Sequence, residues 1–283
     1  MTRAILDTGS PCRHFGDGPH CPLCGTAAVG GWLDAARSVP EVDSAIAAAR
    51  AGGATVLVLR GGDLLQRPEA LDILARTAGP GRADIEVWTA GRALARPGAA
   101  DAVRAAGATR VAVVLYGDTA AAHDWVAGQA GAFQQALAAL KRARAAGLGT
   151  TVLAAVVRPT YRQLGGLVQK ALALQVDGFR FVRVDAPDRA RHPLAAPPAL
   201  AGPWVADAVK KAGAARRRVA IEGLPACVLG AAAPHIDAEP AGSGEFGRPC
   251  EACTWRPRCP GMPPCAAGAH GWTGVEGRTD AAH

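Results

Sequence analysis

Aromatic side chains are scarce in this chain, at 5% of 283 residues, and methionine occurs only twice. A core without many large anchors has to be built from small side chains packed closely. The sequence is accordingly rich in alanine and carries 35 glycines, and at 49% hydrophobic it can bury a substantial interior. No run approaches the roughly 18 apolar residues that cross a membrane. Residues 1–7 lack the apolar stretch of a signal peptide. Both absences lead to the expectation of a cytoplasmic chain with no membrane partner. No basic stretch is interleaved with aromatics as in a single-strand nucleic-acid groove. The net charge of +7 therefore reads as a solvated basic surface, with its densest runs at Lys210-Lys211 and Arg216-Arg217-Arg218, and no nucleic-acid partner is expected. The most informative absence is of cysteine, which does not occur at all between residues 25 and 226.

Seven of the eight cysteines lie in two groups on either side of that gap. In a reducing compartment they read as metal or redox ligands rather than disulfides. The upstream group is Cys12, Cys21 and Cys24, spaced C-x8-C-x2-C. The downstream group is Cys227, Cys250, Cys253 and Cys259, spaced C-x22-C-x2-C-x5-C, with Cys265 as a spare thiol or a substitute ligand. A C-x2-C pair sets two thiolates on one tight turn, and these soft donors favour zinc or iron–sulfur clusters over hard cations. Spacing alone does not separate the two. Three thiolates on a four-iron cluster leave one iron open to a substrate or cofactor. Zinc at the same place would take His14 or His20 as its fourth ligand. Arg248, Arg256 and Arg258 fall among the downstream cysteines, where they would offset an anionic cluster.

The cysteine-free body alternates. Continuous apolar runs at 54–59, 85–88, 110–115, 150–157, 178–184 and 219–222 predict strands buried on both faces. Helix patterns at 41–51, 68–77, 101–106, 131–146, 163–174 and 204–214 fall between them. A βα repeat of roughly 25–35 residues implies a parallel sheet with helices outside it. Residues 185–203, with five prolines, read as a loop. Residues 1–30 read as an irregular, Gly- and Pro-rich segment, and the chain beyond 222 as a small metal-stabilised module.

In this order the features resemble the radical S-adenosylmethionine superfamily. A three-cysteine loop comes first. A helix and strand follow, ending in Arg60-Gly61-Gly62-Asp63, which is similar to the family's Gly-Gly-Glu motif. Thr89-Ala90-Gly91 resembles the family's T-N-G strand end, and the stretches 113–118 and 131–133 also fit. The tail from Gly223 to Gly261 is similar to a Twitch or SPASM-type auxiliary-cluster module. This sequence departs from the family's usual C-x3-C-x2-C spacing, and Asp17 stands where the first cysteine usually is.

The resemblance implies an α/β fold, a partial (β/α)6 TIM-like barrel over 1–218, with a cysteine-rich extension over 219–270 and a disordered tail over 271–283. It implies a 4Fe–4S cluster on Cys12, Cys21 and Cys24 that binds S-adenosylmethionine, and a second 4Fe–4S cluster on Cys227, Cys250, Cys253 and Cys259. Cleavage of the cofactor would yield a 5′-deoxyadenosyl radical that removes hydrogen from a small-molecule or peptide substrate. The electron would come from a donor such as flavodoxin or ferredoxin. Gly61 and Gly62 would let backbone approach the methionyl moiety, and Asp63 would accept from its ammonium group. The competing expectations are a non-catalytic, metal-stabilised binding barrel and a zinc protein. Tyr116, Asp118, His123 and Asp124 follow a strand end and either face the barrel mouth or cap the next helix. Arg158 either meets a carboxylate or is solvated.

Overall fold

The structure is a computed structural model, described here for residues 2–8, 37–79, 84–183, 194–237 and 244–262. Seven strands form one sheet in sequence order, every neighbouring pair parallel. They are β1 (Arg3–Asp7), β2 (Val56–Arg60), β3 (Asp84–Thr89), β4 (Arg110–Leu115), β5 (Gly149–Val156), β6 (Gly178–Arg183) and β7 (Arg218–Glu222). The helices are α1 (Val39–Ala51), α2 (Ala70–Ala78), α3 (Ala99–Ala105), α4 (Ala120–Ala127), α5 (Ala132–Ala145), α6 (Leu164–Ala173) and α7 (Pro198–Ala214). The sheet curls into a half-barrel of TIM-like type with the helices outside it.

The unbroken apolar runs reflect burial of both sheet faces. Leu57, Leu59, Val87, Val113, Val152, Ala154 and Phe181 join the helices in the outer core. The alternate residues Val56, Val58, Trp88, Ala112, Val114, Leu153, Ala155 and Val182 form a second cluster on the concave face. Each fully buried leucine or valine contributes about 1.5–3 kcal/mol relative to exposure. The abundance of alanine is used at the outer layer. Gly91, just past β3, packs so near α5 that an added Cβ would come within 2.9 Å of the Ala139 methyl.

Six of the seven strands fall on the predicted apolar runs. The seventh, β1, lies inside the segment read as irregular. At five residues, RAILD is too short to stand out, and it is strand because it pairs with β2 from Arg3↔Val56 to Asp7↔Arg60. The proline-rich loop also ends earlier than expected, since α7 starts at Pro198 rather than at 204. A proline in the first turn gives up an N–H that no helix bond uses. Helix α4 went unpredicted; it is short and begins at the Thr119 cap, whose hydroxyl accepts from the Ala122 N–H. Among the described residues no helix is long and apolar enough to cross a membrane.

The two edges of the sheet are joined by charge. Arg3 on β1 reaches Glu222 on β7 at 3.5 Å and Asp237 at 3.0 Å. Arg180 on β6 pairs with the same two carboxylates. Asp237 is held there by its own N–H, which donates to the Ile221 carbonyl, beside the parallel bridge Ile221↔Ile236. Burial would lower the pKa of the Arg180 guanidinium, but Glu222, Asp237 and the more distant Glu86 outweigh it and the net shift is upward. Removing one member leaves buried charge without a partner. Arg180→Ala is therefore expected to cost about 3 kcal/mol, the low end for such a loss because Asp237 remains 41% exposed. Urea unfolding of the variant beside wild type measures it; an unchanged midpoint would show the network to be ornamental.

Candidate metal centre and cofactor turn

Beyond β7 the chain turns at Gly223, with φ of 75°. An added Cβ there would come within 3.1 Å of the Arg183 carbonyl. Leu224 and Pro225 then lead into a short 3-10 turn, Ala226–Val228, that carries Cys227. The second arm is a loop closed by the antiparallel bridge Glu245↔Met262. Two further 3-10 turns, Arg248–Cys250 and Arg256–Arg258, present Cys250 and deliver the chain to Cys259. The Cys253 N–H donates to the Cys250 carbonyl at 3.3 Å, the tight turn expected of C-x2-C. The arms are joined where the Ala226 N–H donates to the Cys259 Sγ at 3.4 Å.

All four thiols are free, half-buried, and line one small cleft with Pro225, Phe246 and Met262 among its walls. Burial pushes the Cys227 thiol up to about 11, and the neighbouring Cys259, Cys250 and Cys253 add to the rise. Burial also raises Cys259, opposed by N–H groups of Ala226 and Gly261. Cys227 and Cys259, which burial holds protonated, share one cleft with Cys250 and Cys253, and four soft donors so placed suit a positively charged centre of soft preference. Among the described residues, however, no three Cys, His, Asp or Glu side chains come close enough together to hold a single metal ion.

A second constellation lies at the carboxyl ends of β1, β2 and β3. Gly61 and Gly62 follow Arg60 with φ of 94° and 71°, a backbone that side chains rarely adopt. A Cβ on Gly61 would fall within 1.7 Å of the Asp7 carboxylate. Asp63 is only 1% exposed. Its carboxylate accepts from the Thr89 hydroxyl at 2.9 Å, Gln66 Nε2 at 3.1 Å, the Ala90 N–H at 3.2 Å and the Leu65 N–H at 3.3 Å. It thus ties the turn after β2 to the turn after β3, and an ammonium contact would have to displace one of these donors. Thr89 in turn accepts from the Gly91 N–H at 3.0 Å. At the position of the motif's asparagine, it is the backbone N–H of Ala90 that makes the contact.

Thr8, the last described residue of the β1 arm, is pinned to the same turn: its N–H donates to the Arg60 carbonyl at 2.6 Å and its hydroxyl reaches the Gly61 carbonyl at 3.2 Å. Arg67 Nη1 donates both to the Thr8 carbonyl at 3.3 Å and to the Arg37 carbonyl at 2.9 Å. The two residues flanking the cysteine-bearing segment are therefore gripped by one guanidinium. Cys12, Cys21, Cys24, His14, Asp17, His20 and Cys265 lie outside the described residues.

The residues after β4 are structural. Asp124 accepts from the N–H groups of Gly131 at 2.7 Å and Phe133 at 2.8 Å, capping α5. His123 is fully buried, takes the Tyr116 N–H on Nδ1 at 3.2 Å, and lies between the rings of Tyr116 and Phe133. The backbone N–H of Asp118 donates to Gln163. Arg158 is exposed. Sequence reasoning passed over Arg60, Trp88 and Arg180 on the concave face. Strict alternation along β2, β3 and β6 marks them as facing the same side as Val58 and Val182, the one signal available.

No protein-family description matches this chain, and no curated protein matches it. Solved structures do. SuiB of Streptococcus suis bound to precursor peptide SuiA superposes with a TM-score of 0.62 at 13% identity, over 87% of this chain and 53% of that one. SuiB bound to S-adenosylmethionine gives 0.58 at 12% identity, over 87% and 51%. Native anSMEcpe with bound AdoMet gives 0.56 at 13% identity, over 78% and 64%. The half-barrel fold is shared with these proteins. The chain spans about half the length of SuiB.

Asp63→Ala is expected to strand the Thr89 hydroxyl and two backbone N–H groups in a closed site, costing about 3 kcal/mol. Asp63→Asn, which keeps one acceptor oxygen, should lose less. Chemical denaturation of both variants decides it, and equal stability of wild type and Asp63→Ala would contradict the buried tie.

Proposed function

We propose that this chain is a radical S-adenosylmethionine enzyme. Cys12, Cys21 and Cys24 hold its catalytic 4Fe–4S cluster, and Cys227, Cys250, Cys253 and Cys259 hold an auxiliary one. The observation that carries this reading is the junction at the ends of β1 and β2. The segment bearing the three cysteines is preceded by Thr8, bonded to the Gly61 carbonyl, and followed by Arg37, and one guanidinium, Arg67, holds the carbonyls of both. Ligands in parallel α/β sheets lie at this carboxyl end of the strands. Likeness of fold to two proteins solved with S-adenosylmethionine bound supports it. Residues 1–218 form the barrel core, 219–270 the auxiliary module, with β7 shared between them, and 271–283 a tail.

The auxiliary centre is read as a cluster rather than zinc because the tail from Gly223 to Gly261 resembles an auxiliary-cluster module, and its four cysteines line one cleft. When bound, the catalytic cluster would supply one electron for reductive cleavage of the cofactor and so start hydrogen-atom abstraction. The chain's own part is positional. Gly61 and Gly62 would give the methionyl end a backbone without Cβ atoms, with the Asp7 carboxylate seated beside Gly61. Asp63 holds that turn in register with Thr89 and Ala90. Val58, Val114, Leu153 and Val182 line the concave face and keep water from the reacting centre. A peptide substrate is proposed because structures of SuiB with SuiA and of anSMEcpe with the Cp18Cys peptide share this fold. A cytoplasmic electron donor such as flavodoxin or ferredoxin completes the reading.

Anaerobic reconstitution is expected to load roughly eight irons and eight sulfides. The double variant Cys250→Ala, Cys253→Ala should lose about half of them. Because the Cys227 and Cys259 thiols are held protonated by burial, uptake displaces protons and should tighten as pH rises. One equivalent of zinc with no visible absorption would replace the cluster reading by a zinc one.

Thiolate is a softer donor than carboxylate or imidazole. Cys12→Ala is thus expected to abolish formation of 5′-deoxyadenosine under strong reductant, while Asp17→Ala retains it. Product analysis over long incubations checks this, and the reverse pattern would make Asp17 the third ligand.

A further inference from the structure

The concave face carries a charge that the fold does not use. Five strand arginines lie on that side of the sheet, with Arg218 exposed at the start of β7. Arg3 and Arg180 are neutralised by Glu222 and Asp237, and Arg110 by Asp84. Arg60, the last residue of β2, is half-buried and makes no ion pair or side-chain hydrogen bond among the described residues. Its guanidinium instead lies 5.4 Å from the centre of the Trp88 ring, with that of Arg180 6.0 Å from the same ring. The indole N–H is given to Glu86 at 2.8 Å, which keeps the nearest buried carboxylate of that strand occupied. Trp88 itself is only 7% exposed, so it forms a fixed platform.

A guanidinium parked on an aromatic face keeps its outward N–H donors free and has lost much of its rotamer freedom before any ligand arrives. Its planar fork matches a carboxylate. The next two residues in the chain are Gly61 and Gly62, with φ of 94° and 71°. We propose that Arg60, braced by Trp88, binds the carboxylate of the amino-acid end of S-adenosylmethionine, with Trp88 as its positioning residue. This rests on the cofactor reading above and adds to it a specific charge contact.

The test is equilibrium binding of two probes, S-adenosylmethionine and its decarboxylated analogue, to anaerobically reconstituted full-length protein. For Arg60→Ala, affinity for S-adenosylmethionine should fall about 10- to 100-fold, as loss of a charge-assisted contact implies, while the decarboxylated probe binds as it does to wild type. Arg60→Lys should recover part of the loss, and Trp88→Phe should weaken only the carboxylate-bearing probe. Thermal melts and iron content of each variant guard against misfolding; if Arg60→Ala fails to fold, Arg60→Lys and Arg60→Gln against the same two probes decide. Equal loss for both probes, or no loss for either, overturns the assignment of Arg60 while leaving the cofactor reading standing. Wild-type protein that binds neither probe overturns the cofactor reading, and Arg60's role with it.

Discussion

Two guanidiniums, Arg3 and Arg180, sharing the carboxylates of Glu222 and Asp237, connect the first strand of the sheet to the last. An open parallel sheet buries its convex face under helices, but its concave face has nothing to pack on except itself. Small apolar residues fill that face near the middle, and the ion network bridges what they leave between the edges. The pairing works because the geometry offers each buried carboxylate more than one donor; a single pair there would not recover its desolvation.

Everything with chemical potential sits at the carboxyl end of this frame or just past its last strand. The two turns after β2 and β3 are locked by one buried carboxylate, Asp63, whose acceptors serve groups on both. A rigid turn of this kind can hold glycines in a left-handed backbone without collapsing, and at Gly61 the Asp7 carboxylate takes the space where a side chain would be. Past β7 the same economy applies in another form. Among the described residues past β7, regular hydrogen bonding is limited to four short 3-10 turns and two isolated bridges, so a bound centre would supply much of the order of the cysteine arms.

Much of this was legible in the chain. Six strands announced themselves as apolar runs because both faces of a parallel sheet are buried, and the glycines at 61 and 62 marked the end of β2, where positive φ is found. The missed strand β1 and helix α4 are short, and their identity comes from pairing and capping partners far away or outside any periodic pattern. Of the two roles open to them in the sequence, the fold gives Asp124 the helix cap, while His123 becomes a core contact.

By itself the sequence determined the alternation of strand and helix, the two cysteine groups and the turn between them, since these rest on local pattern and residue type. Only the tertiary structure decided that four thiols separated by up to 32 positions share one cleft, that Asp63 spends its carboxylate on its neighbours, and that Arg60 keeps its charge unspent on the ring of Trp88. The reason is physical: whether a polar group is satisfied depends on what the fold brings to it, and that partner can come from anywhere in the chain.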